Sequence, residues 1–521
     1  MAEQTTSAST AAGAFYPDVN GNRYRVERDS MGEVAVPADA MYGAQTARAV
    51  TNIPISGPTL PASLILALSQ VKQATAQANA QLGALDAGVA SAITDAAITI
   101  GDAIRNPESG WQTQFPLGSY QTGSGTSTNM NMNEILAHLA SQTLGQPVHP
   151  NDQVNASQST NDVFPTAIHV ATASELENEL LPALNELFVA LATKAHEFMR
   201  VVKAGRTHLQ DATPVTLGQE FSGYATSISH SIVRLSEHIE SVCEVALGGT
   251  AVGTGLNTPS GYPQIVTEKL AEITGLPIRE AHNHFEAQST QDSLVSLSGM
   301  LKTLAVSLTK ICNDLRWMAS GPTAGLGEIN LPDLQPGSSI MPGKVNPVVP
   351  EAVLMVCSRV IGNDATITWA GASGNFELNV QLPVIGTSIL ESVHLLAEAC
   401  QVLAEKCVSG ITANAQRLAR YAQSSPSIVT VLNPIIGYDK AAQIAKYAVD
   451  HQVTIKQAAI ALGFTESGEL TESQLDDLLD PILMTGPHYS SQQNAANSDD
   501  IPTFEASDDS VVSALRNYRP E

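Results

Sequence analysis

In one stretch of the chain, Leu294, Leu297, Leu301, Leu304, Leu308, Ile311 and Leu315 recur at alternating steps of three and four. Only a helix brings residues so spaced to one side, so the pattern predicts a long rod with a heptad-like apolar seam. At about 1.5 Å of rise per residue the seam runs roughly 30 Å. Three further series behave alike: Ile389, Val393, Leu396, Cys400, Leu403 and Cys407; Leu176, Leu180, Leu184, Leu187 and Leu191; and Leu217, Phe221, Tyr224, Ile228, Ile232, Leu235 and Ile239. Four long seamed helices predict an all-α protein built on a bundle. Val295, Ala305 and Val306 place small or apolar residues on other faces too. A helix apolar on more than one face is buried on more than one side, so the bundles are expected to pack together in a homo-oligomer. A lone coiled-coil seam is the alternative.

The 521 residues are enough for several domains, and aromatics make up only 5% of them, which favours close-packed helices. A formal charge of −25 argues against non-specific nucleic-acid binding. It also means that an anionic substrate must be met by a local positive field. Cys243, Cys312, Cys357, Cys400 and Cys407 are scattered, with no CxxC pair and no iron–sulfur spacing. They are expected to be small core residues in a reducing compartment, the cytoplasm. The N-terminal MAEQTTSASTAAGAF has neither the basic-then-apolar pattern of a signal peptide nor the arginines of a transit peptide. No uncharged apolar run reaches the length of a membrane span.

Composition shifts divide the chain into a mobile arm (1–20), an N-terminal helical domain (21–157), the long-helix bundle (158–415), a small C-terminal helical domain (416–486) and an acidic polar tail expected to be disordered (487–521). Chemistry should sit where the apolar pattern breaks. Four polar islands stand out: Gly123–Asn129, His149–Asp152 running on to Ser157–Asn161, Gly205–His208 and Gly337–Pro347. Each is expected at or near a helix start, where free N–H groups and the positive dipole end suit carboxylates. Taken singly, each of their Ser, Thr and Asn residues reads more readily as a cap; four such islands in one chain are harder to dismiss. In the fourth island two glycines and two prolines bracket Ser338, Ser339, Lys344 and Asn346, which suits a loop that moves over a site. Lys344 can neutralise a carboxylate and Asn346 can donate to it; the alternative is a surface turn with a solvated lysine.

The string GSSIMPGKVNP resembles the signature of the fumarase/aspartase superfamily. QTGSGTSTNMNMNE, HPNDQVNASQSTNDVFPTAIH, GRTHLQDATPVTLGQEFSGY, GGTAVGTGLNT, GASGNFELNV and LNPIIGYDKAAQIAK resemble class II fumarase in particular, in order over about residues 23 to 486. Thr207-His208 is the best discriminator, since aspartases typically carry Thr-Gln there. Expelling hydroxide from malate needs a proton donor, and a histidine can serve in both directions near neutrality. Ammonia leaves aspartate already protonated, so an aspartase manages without that acid. Aspartate ammonia-lyase and a non-catalytic helical scaffold remain the alternatives.

The resemblance implies a three-domain all-α fold, a homotetramer whose sites are shared between subunits, reversible hydration of fumarate in the tricarboxylic acid cycle, and no cofactor or metal. It implies that Ser338 takes the C3 proton of malate and that His208, oriented by Glu351, serves the leaving hydroxyl. Substrate binding would fall to Ser124, Gly125, Thr126, Ser159, Thr160, Asn161, Thr207, Ser339, Lys344, Val345 and Asn346. His149, Pro150, Asn151 and Asp152 resemble a second dicarboxylate site, or else form a capped turn; no Lys or Arg occurs from Asn133 to Asp152.

Overall fold

A computed structural model describes residues 15–17 and 23–486. They form two compact units, each drawn from three stretches of chain. One takes the described residues up to Leu180, then Arg234–Lys302 and Arg359–Leu395. The other takes Leu181–Val233, Thr303–Ser358 and the described residues from Leu396 onward. Four of the five divisions fall inside the long helices Leu217–Val242, Asp292–Met318, Val348–Gly371 and Leu382–Val402, and the other lies between Leu180 and Leu181.

In the first unit, Arg23–Asp29 pairs antiparallel with Gly32–Pro37 and with Phe15–Pro17. The segment expected to be a mobile arm therefore contains a paired strand; residues 1–14 and 18–22, like the expected tail from 487, lie outside the described residues. The Ala62–Gln81 helix packs against Ala87–Arg105, Thr160–Glu175 and Tyr262–Thr274. Leu64, Leu68 and Val71 are fully buried there, and Ala67, Ala74 and Ala78 between them allow neighbours to approach closely. Asp86 caps Ala87–Arg105, its Oδ1 accepting from the N–H groups of Gly88 (2.9 Å) and Val89 (3.1 Å). Gly145, in the left-handed conformation, ends Thr126–Leu144.

The second unit holds the Leu181–Glu197 helix, a hairpin of Val202–Thr207 and Gln210–Thr216, and the C-terminal helices. Ile428, Leu432, Ile444, Ile455, Leu470 and Leu475 form a small core of their own around the Tyr438–His451 helix.

The seams are where the periodicity puts them. All seven residues from Leu294 to Leu315 are buried, as are the 389–407 and 176–191 series; of the 217–239 series only Ile232 is half-buried. The chain is helical throughout from Thr160 to Glu197, with one π-turn at Leu176–Leu180. Polar bonds fix the pairing of the long helices. In the first unit Lys302 and Ser298 both bind Asp364, at 2.6 and 2.8 Å, and Asn363 binds Glu391 at 2.8 Å. In the second, the Tyr224 hydroxyl donates to Asp314 at 2.8 Å. Ala87–Arg105, Asp292–Met318 and the helical run Leu382–Gly410 are long and apolar enough, by length and composition alone, to cross a membrane. All three carry charges within their span, among them Asp95 and Asp102 in the first, Lys302 and Lys310 in the second, and Glu391, Glu398, Glu405 and Lys406 in the third.

Candidate active site

The first polar island opens the Thr126–Leu144 helix. Gly125 precedes it with φ +83°, and a Cβ there would lie 2.3 Å from the Phe164 ring. At Gly123 a Cβ would lie 1.8 Å from the Val380 carbonyl oxygen, so only glycine lets the chain pass. The Ser124 and Thr126 hydroxyls share a hydrogen bond of 2.8 Å.

The Ser157–Asn161 island opens the Thr160–Glu175 helix through a capping box. The Ser159 hydroxyl accepts from the Asn161 N–H (3.2 Å), and Asp162 accepts from the Ser159 N–H (2.9 Å). The other Asp162 oxygen takes the N–H groups of Gly248 (2.9 Å) and Thr250 (3.1 Å). Burial nonetheless pushes the Asp162 carboxyl up to about 6, against these bonds and the Lys72 charge. The Asn161 amide donates to the Ala251 carbonyl at 2.8 Å. The two islands are bonded to each other, since Asn129 Nδ2 donates to Thr160 Oγ1 at 3.0 Å.

Between them, His149 caps a π-turn over Pro150–Val154. Its Nδ1 accepts from the N–H groups of Asn151 (3.3 Å) and Asp152 (3.0 Å), which leaves the ring proton on Nε2.

In the second unit the Gly205–His208 island does not start a helix, contrary to expectation. It is the first strand of a hairpin, and the next helix begins only at Leu217. His208 and Leu209 are the two turn residues, with φ of +56° and +58°. Such turns match the twist of the strands but are usually built from Asn and Gly. Here two larger residues occupy them and stand exposed at the tip. The base of the hairpin is held by charge. Buried Glu328 receives both Arg206 terminal nitrogens (2.6 and 3.1 Å) and the Lys203 ammonium (3.0 Å), which also meets Glu220 at 2.6 Å. Burial works against the Arg206 charge, but the Glu328 bonds and the nearby carboxylates outweigh it and raise its pKa.

The Gly337–Pro347 island is a loop leading into Val348–Gly371. The Gly337 N–H donates to the Lys344 carbonyl (2.7 Å) and the Asn346 amide to the Gly337 carbonyl (2.7 Å), closing a ring that leaves no room for a Cβ at Gly337. Inside the ring, the Ser338 hydroxyl accepts from the N–H groups of Ile340 (3.2 Å) and Met341 (2.9 Å). Ser339, Lys344 and Val345 are exposed, and Glu351 sits half-buried in the first turn of the helix. Among the described residues no hydrogen bond or ion pair joins His208 to Glu351 or to this loop within one chain. No group of three or more His, Cys, Asp or Glu among them is arranged to hold a metal.

Sequence reasoning passed over Lys72, Asn155, Lys203 and Glu328. Lys72 had a signal. Leu64, Leu68, Lys72, Thr75 and Asn79 lie at steps of three and four on one helix, so a lysine stands where the stripe demands burial.

A family profile described as "Lyase" matches residues 32–362, and one described as "Fumarase C C-terminus" matches residues 428–486. With the long-helix bundle and its polar loops, they define a helical lyase. Fumarate hydratase class II of Mycobacterium tuberculosis is 53% identical over 468 residues, covering 90% of this chain and 97% of that one. The enzyme of the same name from Ralstonia nicotianae is 51% identical, over 89% and 99%. The crystal structure of a class II fumarase from Schistosoma mansoni superposes with a TM-score of 0.85 at 38% identity, covering 90% of this chain and all of that one. The chain belongs to the class II fumarate hydratase family.

Proposed function

We propose that this chain hydrates fumarate to (S)-malate reversibly, as a step of the tricarboxylic acid cycle, by anti addition and elimination. The observation that carries the chemistry is the Ser338 hydroxyl, which accepts two backbone N–H groups inside a loop closed by Lys344 and Asn346. In the dehydration direction Ser338, as its alkoxide, takes the C3 proton. Those two N–H groups and the Lys344 charge are what an oxygen anion needs to persist. The electron pair left at C3 passes into the neighbouring carboxylate, giving an aci-carboxylate. It then returns to form the double bond as the C2–O bond breaks, and His208 supplies the proton with which hydroxide leaves as water. Ser124, Thr126, Ser159, Thr160, Asn161 and Thr207 would orient the two substrate carboxylates; Ser339, Val345 and Asn346 would close over them.

Glu351 is read as the partner that orients His208 from another subunit. The exposed hairpin tip fits a site completed by a second chain. So does an apolar stripe on Val348–Gly371, where Met355 and Trp369 are 68% and 78% exposed. We therefore read the assembly as a homotetramer with shared sites, working in the cytoplasm, where its five free, buried thiols stay reduced. The segments 21–157, 158–415 and 416–486 are proposed as its successive domains. The His149–Asp152 turn is proposed as a weaker second dicarboxylate site, with an Nε2–H donor but no cation.

Fumarate absorbance in the ultraviolet, with malate and aspartate offered separately, tests the reading. Signal from malate is expected. Signal from aspartate alone would make the chain an ammonia-lyase, and signal from neither a scaffold. His208→Asn should slow malate dehydration by about 100-fold or more with the oligomer intact; near-normal turnover would remove His208 from the mechanism.

A further inference from the structure

We propose that Lys72 is a positioning residue for the dicarboxylate: its buried ammonium locks the 155–158 turn and thereby sets the spacing between Thr126 and the Thr160–Asn161 pair. The inference rests on the hydratase reading above and names a residue outside the set assigned there.

Lys72 is fully buried in the Ala62–Gln81 helix. Its Nζ donates to Asn155 Oδ1 (3.0 Å) and Gln158 Oε1 (2.8 Å). Asn155 Oδ1 is a hub, since it also accepts from Asn129 Nδ2 (3.2 Å) and Asn133 Nδ2 (3.0 Å). Asn129 reaches on to Thr160 Oγ1 at 3.0 Å. Asn129 and Asn133 lie one turn apart on the helix that Thr126 begins, so both face the hub. A continuous chain of hydrogen bonds thus runs from Lys72 through the turn and the Thr126 helix to the start of the Thr160 helix. Asn79, two turns beyond Lys72 on the same face, holds the far side of the turn. It donates to the Ala156 carbonyl (2.9 Å) and accepts from the Ser157 hydroxyl (2.7 Å), and Ser157 itself has φ +59°.

The chemistry of this lock is unusual for a buried cation. Lys72 touches only neutral amide oxygens, while Asp162, the opposite charge that acts on it, receives backbone N–H groups. The network therefore supplies the register of the binding groups.

Steady-state kinetics of Lys72→Met and Asn129→Ala, in both directions, test the proposal. Each variant is expected to raise KM for malate and fumarate by about tenfold or more, with kcat within about threefold of wild type, because the lost interaction fixes binding groups rather than reacting atoms. Circular dichroism and gel filtration establish that each variant is folded and assembled. Should Lys72→Met fail to fold, Asn129→Ala carries the same prediction, since it spares the ammonium and cuts the links from Asn129 to Asn155 and Thr160. Unchanged KM in a folded variant, or a loss confined to kcat, overturns the proposal. A wild type without malate turnover overturns the hydratase reading and this inference with it, whereas an active wild type beside an unaffected variant overturns this inference alone.

Discussion

Replacing Glu328 by Gln perturbs the hairpin that carries Thr207 and His208 without touching either residue. Glu328 is wholly buried, and Lys203 and Arg206 bind it with only 2% and 19% of their side chains exposed. Removing one member of a buried ion pair generally costs about 3–5 kcal/mol, because the partner charge is left uncompensated. Here the loss is softened twice over: Lys203 keeps Glu220, and Arg206 reaches some solvent. About 2–4 kcal/mol of stability should therefore be lost. His208 and Leu209 each hold a left-handed conformation, at about 1 kcal/mol or more apiece. The strain in the turn is thus comparable with the anchoring that the substitution removes, and the turn can relax. The expected result is a fall in kcat/KM for malate of about 10- to 100-fold, equivalent to about 1.4–2.7 kcal/mol of transition-state stabilisation. Fumarate absorbance measures the rate, and denaturant unfolding the stability. Lost stability with kcat/KM inside twofold of wild type would refute the idea that this anchor positions His208, and unchanged stability would refute the account of the buried pair.

Leu209→Asn should raise the melting temperature slightly, by about 0.5–1 kcal/mol of stability, since Leu209 is 68% exposed and asparagine tolerates its conformation; a lower melting temperature would show that the leucine is covered in the assembly. His149→Asn keeps a capping side chain and should leave turnover at low malate unchanged, removing only weak binding at high concentration; a loss at low malate would move the turn into the main site. Burial lowers the Lys72 pKa to about 7, against the pull of Asp162, while an unfolded lysine keeps its proton to 10.5. Between those values the unfolded chain holds a proton that the folded one has released, so wild type should gain stability over Lys72→Met as pH rises from about 7 to 10. Asp162, raised from 3.8 to about 6 chiefly by burial, acts oppositely, and its contribution falls as pH rises from about 4 to 6. Denaturant unfolding at several pH values reads both, and parallel curves for wild type and Lys72→Met above pH 7 would refute the first.

The long helices were legible because their apolar residues keep step with the helical turn over many residues, as from Leu294 to Leu315. The 202–216 hairpin was not. Its strands, VKAGRT and QDATPVT, lack an alternating apolar face, a bulge separates Ala204 from Arg206, and its turn is His-Leu where Asn-Gly would have signalled it. The strands at 23–37 were readable, with Tyr24 and Val26 alternating ahead of a two-residue turn and Val34 and Val36 after it, but they are short beside the helical pattern. At the site, the four islands were visible as breaks in apolar periodicity, and three of them lead into helix starts. What holds them was harder to see: Glu328, which anchors the hairpin, looks like any solvated charge until a fold buries it, and only its place in an apolar stripe marks Lys72. His208 and Glu351 are joined by no hydrogen bond or ion pair among the described residues, and no local pattern in the sequence pairs them.

The interleaving of the two units bears on how the protein is made. A ribosome must extrude Leu395 before the first unit possesses all its pieces, and the second is completed later still. Translation products stopped short of that point would leave seamed helices unpaired, an adhesive state that chaperones have to shield. Maturation should accordingly be slow and post-translational, governed by joining stretches far apart in the polypeptide, and neither half could be expressed as a simple contiguous fragment.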